Sequence, residues 1–135
     1  MWSTADVIND LRSHRQTCAK VEIIKNILEQ QTDYKTPDSC TEELHAQYAA
    51  LLTKKTTVEG WLKILPTEER FLVQTHLVNG LDWAKTIVEH EKMWGIMNGR
   101  SERTLKRIQA KAVERIVACL NQINHLYRNE TEEVK

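Results

Sequence analysis

Five cations, Arg100, Arg103, Lys106, Arg107 and Lys111, fall within twelve residues of one another near the C-terminal end of the chain. On a helix these spacings spread them over the first three turns, away from an apolar strip at Leu105, Ile108 and Ala112. An arginine fork can donate two hydrogen bonds to the O6 and N7 edge of guanine. Lysine ammonium groups and hydroxyls such as Ser101 and Thr104 can hold phosphate oxygens. Glu102 suits the positive end of a helix and could alternatively accept from cytosine N4. The charge run by itself describes a solvated basic face on a structural helix equally well. The elements around it must decide between the two.

Other chemistries find little support. The histidines (His14, His45, His76, His90, His125) are scattered, with no H-E-x-x-H or other paired ligand spacing. Glu89-His90-Glu91 is the densest group, but adjacent helical residues point different ways, so these read as surface residues and no metal is expected. Cys18, Cys40 and Cys119 are odd in number and widely spaced, which suggests reduced thiols and no disulfide framework. No nucleophile elbow, P-loop or dinucleotide-binding glycine pattern is present. A Glu-x-x-Glu pair of the magnesium-binding type occurs at Glu130 and Glu133, beside the C-terminus, with no Glu-x-x-Asp to complete it. Glu42-Glu43 and Glu68-Glu69 stand at expected helix starts, where capping and the helix dipole account for them. The reading is a non-enzyme without cofactors.

The elements follow from punctuation. In 135 residues there are four glycines and two prolines, too few for the turns of a strand-rich fold, and 41% hydrophobic content supports a modest core. No apolar run reaches the roughly 18 residues of a membrane span, and the first residues do not form a secretion signal. The expectation is a soluble, cytoplasmic, all-α chain. An amphipathic pattern runs from Ser3 or Thr4 to about Gln31, with Val7, Leu11, Cys18, Val21 and Leu28 on one stripe and Ile8, Ile24 and Ile27 widening it. A polar loop, residues 32–38, precedes a capping box at Ser39 and Glu42. A second pattern then carries Leu44, Tyr48, Leu51, Leu52, Val58, Trp61, Leu62 and Leu65, with a break near Thr56-Thr57 or Gly60. Two such helices predict an antiparallel hairpin over 1–65, whose surplus apolar surface suits dimerisation, a partner, or the rest of the chain.

Pro66 restarts the chain, Thr67 can cap, and Phe71, Leu72, Leu77 and Val78 face inward up to Asn79-Gly80. A short helix is expected from Leu81 to Lys92, with Trp83, Ile87 and Val88 inward, then a connection with two glycines. Ser101 caps a final helix to about Tyr127 with the stripe Leu105, Ile108, Ala112, Ile116 and Leu120, flanked by Val113 and Val117. Residues 129–135 read as a frayed tail. Trp61 and Trp83 read as core, whereas Trp2 and Trp94 are freer to meet a subunit or a DNA backbone. Charge separates along the same boundaries. Residues 1–99 carry a net −3, residues 100–128 a net +5 and the tail −2, which conceals the basic segment within a formal total of zero.

Short helix, break, short helix, connection and long basic helix is the layout of a helix-turn-helix domain, here 66–128. Leu65-Pro66-x-x-Glu69-Arg70, Gly80-x-x-Trp83-x-x-x-Ile87 and Ser101-x-Arg103-Thr104-x-x-Arg107-x-x-x-Lys111-Ala112 together resemble the sigma-70 region 4-like domain. More closely, they resemble the phage late-operon transcriptional regulators of the ArpU/RinA type, over about residues 58–120. The resemblance implies a sequence-specific binder of double-stranded DNA in a bacterial cell, acting on late phage genes and meeting RNA polymerase. It places Ser101, Arg103, Thr104, Arg107 and Lys111 on the recognition helix, with Arg100 and Lys106 beside them, and Trp83 and Ile87 in the core of the preceding helix. One departure is plain: Glu91 to Arg100 is longer than a three- or four-residue turn. A small phage DNA-packaging subunit, and a helical protein–protein interaction module without DNA binding, are the alternatives.

Overall fold

Ser3 and Asp6 set where the first helix begins. Asp6 N donates to Ser3 Oγ at 3.2 Å and Ser3 N donates to the Asp6 carboxylate at 2.9 Å, a reciprocal cap that holds the Asp6 carboxyl below its ordinary range. The computed structural model describes residues 1–31 and 39–133, with side chains for 1–30 and 41–123. Its helices are α1 (Thr4–Gln31), α2 (Ser39–Lys63), α3 (Thr67–Leu72), α4 (Trp83–Trp94) and α5 (Glu102–Glu133). A π-helical segment, Val73–Val78, continues α3, and a 3₁₀ turn, Ile96–Asn98, follows α4. Among the described residues there is no strand, so the chain is all-α. No helix in them is long and apolar enough to cross a membrane.

α1 and α2 pack along each other in opposite directions, with Trp2 edge-on against Trp61 at 5.4 Å and Asp10 3.8 Å from Lys54. α2 is unbroken through Thr56, Thr57 and Gly60. The three threonines Thr53, Thr56 and Thr57 turn their hydroxyls back to carbonyls one turn earlier, which leaves the ladder intact. The loop at 32–38 and the Ser39 capping box lie outside the described side chains.

One apolar cluster joins both halves of the chain. Val7 and Leu11 of α1, Val58 and Trp61 of α2, and Leu65 beyond it meet Val73, Leu77 and Val78, and Ala112, Val113 and Ile116 of α5. The cluster therefore crosses the 65/66 boundary. Each such aliphatic side chain contributes about 1.5–3 kcal/mol on burial, so removing α5 would expose much of the interior. Asn121 adds a polar clamp: its side-chain amide donates to the Trp2 carbonyl and its oxygen accepts from the Trp2 amide. Trp2 is thus held within the molecule and is not a free surface group.

Three capping details differ from the sequence expectation. Thr67 is the first helical residue of α3 and Pro66 precedes it without any side-chain cap. The C-terminal end of α2 and the turn after it are instead closed by Arg70, whose guanidinium donates to the carbonyls of Leu62 and Lys63 in α2 and of Leu65 just beyond it, at 2.8–3.0 Å. The Glu68-Glu69 pair is likewise not a capping device. Both carboxylates reach across to other helices.

In the π-helical segment the turn widens, and Val73, Thr75, Leu77 and Val78 are all buried. Gly80 then reverses the chain at φ +73°, a left-handed geometry favouring glycine. α4 begins at Trp83, two residues later than expected, with Asp82 accepting from the Lys85 amide at 2.8 Å. Its inward face is also not the expected one. Thr86 and His90 are buried, Trp83 and Ile87 are half-buried, and Val88 is exposed. Thr86 satisfies its hydroxyl on the Asp82 carbonyl at 2.8 Å, so a polar residue fits an interior position that an apolar pattern would not mark.

Candidate nucleic-acid interface

The start of α5 is fixed before any basic residue is displayed. Ser101 accepts from the Thr104 amide at 3.2 Å, and the two hydroxyls lie 3.0 Å apart. Ser101 and Thr104 are therefore occupied in the cap of α5. One residue earlier, Arg100 forks onto Glu68 of α3, with Nη2 donating to Oε2 at 3.3 Å and Nε bonded to Oε1. The same carboxylate lies 3.3 Å from His90 Nε2 of α4. Glu68 thus joins α3, α4 and the lead-in to α5. Burial opposes its ionisation most strongly, but the hydrogen bonds and positive charge of Arg100 and His90 together outweigh this. They hold the carboxyl below its ordinary range.

His90 is 1% exposed, and so is not the surface residue its sequence neighbourhood suggested. It stacks on Trp94 at 4.6 Å, and Phe71 packs edge-on against both rings. Trp94 is accordingly a packing residue beneath the α4–α5 connection. The connection itself spans 95–101 and contains the 3₁₀ turn, with Gly95 at φ +87° ending α4. The extra length of this stretch is thus divided: α4 extends through Trp94, and a loop containing the 3₁₀ turn follows it.

Beyond the cap, the cations separate from the core. At about 100° per residue, Arg103, Arg107 and Lys111 face away from Leu105, Ala112 and Ile116, which are fully buried. All three are exposed and have no ion-pair partner among the described residues. They span about 12 Å along the helix. Lys106 lies on the α4 side of this face, 3.5 Å from Glu102 and 5.9 Å from the Trp83 ring centroid. Trp83 in turn stacks on His76 at 3.9 Å, and His76 Nδ1 donates to the Leu81 carbonyl at 2.8 Å. Arg115, further along, is drawn back to the buried Glu69 at 3.3 Å and so ties α5 to α3.

The seven sequence-predicted residues thus fall into distinct settings. Arg103, Arg107 and Lys111 form an outward cationic strip, with Lys106 at its edge, while Arg100, Ser101 and Thr104 are engaged in holding the helix start. Glu68, Glu69, His90 and Arg115 complete the support and were not singled out for it from sequence. Their partners lie 22 to 46 residues away, beyond the reach of any local spacing rule. Among the described residues, the group of His, Cys and acidic side chains close enough to share a metal is His14, Cys18 and Glu59, in the α1–α2 seam away from this face. Comparison with protein-family models, curated proteins and solved structures returned no match to this chain.

Proposed function

We propose that the chain is a sequence-specific, double-stranded-DNA-binding transcriptional regulator, using α5 as the element that enters the major groove. The observation carrying this reading is the outward strip of Arg103, Arg107 and Lys111. Three cations without an ion-pair partner among the described residues stand opposite the buried face of a helix whose start is fixed by a serine cap and an arginine–glutamate fork. Base reading requires free guanidinium groups on a rigidly held helix face, and this arrangement supplies both. Arg103 and Arg107 are assigned to base edges, Lys111 and Lys106 to phosphates, and Arg100 chiefly to positioning.

The resemblance to phage late-operon regulators supplies the biological setting of this proposal: late phage or prophage genes in a bacterial cell, with RNA polymerase as the protein partner. The outer half of the α1–α2 pair leaves Ile23 and Leu52 exposed, which favours a homodimer or polymerase contact as the role of that region. The test is selection from a random-sequence duplex pool across a salt series, followed by sequencing of what is retained. Enrichment of one motif with steep salt dependence supports the proposal. Salt-sensitive retention without a motif favours a packaging role, and no retention at low salt overturns DNA binding.

A further inference from the structure

α1 sets His14 and Cys18 four residues apart, so both side chains stand over the same face. α2, packed against that face, contributes Glu59. One ligand-capable atom from each of the three lies within 4.8 Å of the others. His14 Nε2 is 3.5 Å from Cys18 Sγ. A tetrahedral zinc ion, with bonds of about 2.0–2.1 Å to nitrogen and about 2.3 Å to sulfur, separates those two ligands by about 3.5 Å. The nitrogen–sulfur distance is thus already one edge of such a site.

The surroundings favour a ligand. His14 is 7% exposed, and its Nδ1 is buried with no hydrogen-bond partner. Buried polar atoms are ordinarily satisfied, yet this imidazole leaves Nδ1 without a partner, while its Nε2 faces the Cys18 thiol and Glu59 lies close by. Cys18 is a free, half-buried thiol, and Glu59 is half-buried beside it. None of the three belongs to the α5 face or its supports. The sequence held half of this pattern, the His-x-x-x-Cys spacing, while Glu59 lies 41 residues beyond Cys18 and is brought in by the packing of α2.

We infer that His14, Cys18 and Glu59 bind a single zinc ion, with the fourth tetrahedral position open to water. The mixed nitrogen, sulfur and oxygen donor set selects the element. Magnesium and calcium take oxygen ligands, whereas thiolate with imidazole and carboxylate suits zinc. On binding, the Cys18 thiol releases its proton to solvent and ligates as thiolate. The ion would cross-link α1 to α2 just outside the shared apolar cluster, stiffening the outer part of the pair.

Cobalt(II) tests this directly as a spectroscopic probe on the metal-free full chain. The expected result is one cobalt per chain, with a thiolate-to-cobalt charge-transfer band and the visible bands of a tetrahedral centre, all removed by one equivalent of zinc. Cys18→Ser abolishes the charge-transfer band, and His14→Gln and Glu59→Gln each weaken cobalt binding at least tenfold. Cys119→Ser leaves band and affinity unchanged, and circular dichroism confirms that each variant is folded. Absence of stoichiometric binding, or a charge-transfer band surviving in Cys18→Ser, overturns the inference and leaves a thiol–imidazole hydrogen bond in its place. Binding indifferent to both His14 and Glu59 overturns it equally.

Discussion

Replacing Glu68 with alanine removes the one carboxylate that touches α3, α4 and the lead-in to α5, and its cost can be built up from its contacts. The fork to Arg100 is half-exposed, so as an ion pair it contributes about 0.2–1 kcal/mol. The contact to His90 matters more, because His90 is buried and its Nδ1 already lacks a partner. Taking Glu68 away leaves both ring nitrogens unsatisfied, at about 1–3 kcal/mol. Together these give a loss of about 1–4 kcal/mol. Urea unfolding followed by circular dichroism should show a lower midpoint with the slope unchanged, since the same surface is exposed on unfolding. In a double-mutant cycle, Glu68→Ala and Arg100→Ala should couple by about 0.2–1 kcal/mol, the contribution of a half-exposed ion pair. If Glu68→Ala lies within about 0.5 kcal/mol of the parent, Glu68 is an ordinary surface acid and the positioning role of the fork is wrong.

The depressed Glu68 pKa makes that stabilisation depend on pH. It is fully present above the unfolded-state value, ordinarily 4.5, and is lost as pH falls through the lower folded value. Stability of the parent should therefore fall more steeply below about pH 4.5 than that of Glu68→Gln, as measured by urea midpoints across pH. Arg70→Ala removes the guanidinium from the carbonyls of Leu62, Lys63 and Leu65 and should cost about 1–2 kcal/mol in the same assay, with Arg70→Lys restoring less than half because one ammonium cannot span all three. Two glycines separate backbone effects from packing, since an added methyl meets no atom within 4 Å at either. Gly60→Ala, inside α2, should stabilise by about 0.5–1 kcal/mol, whereas Gly80→Ala, at positive φ, should destabilise by about 1–2 kcal/mol, both read from thermal midpoints.

What could be read from residues alone follows the physics of each element. The α5 stripe and its serine cap were legible because burial there is apolar and the cap is local: Leu105, Ala112, Val113 and Ile116 are buried, and Ser101 accepts where expected. The inward face of α4 was not legible because its interior positions are Thr86 and His90, polar groups whose hydroxyl and Nε2 meet the Asp82 carbonyl of the same turn and Glu68 of another helix. An apolar pattern search passes over such residues and selects Val88, which is 49% exposed. In the π-helical segment Leu77 and Val78 are buried as their apolar character predicts, whereas the widened turn also buries Val73 and Thr75, which no helical period marked. The placement of Trp2 depends on Asn121, 119 residues away, and no spacing rule reaches so far.

The candidate site divides in the same way. Outward cations on a helix with a buried opposite face follow from periodicity, and Arg103, Arg107 and Lys111 stand where that periodicity puts them. Which cations are already engaged does not follow from it, because Arg100 and Arg115 find their carboxylates on α3.

The most direct test of the DNA-binding account is the affinity of the full chain for its selected duplex from 50 to 200 mM salt, by fluorescence anisotropy, for the parent and for Arg103→Ala/Arg107→Ala. Three to four engaged cations should give a log–log salt slope of about −3 to −4, and so a loss in affinity on the order of a hundredfold over that range. The double variant, still folded by circular dichroism, should lose at least about thirtyfold in affinity and discriminate less between matched and mismatched duplexes. Unchanged affinity and unchanged discrimination in the double variant would contradict the assignment of α5 as the reading helix.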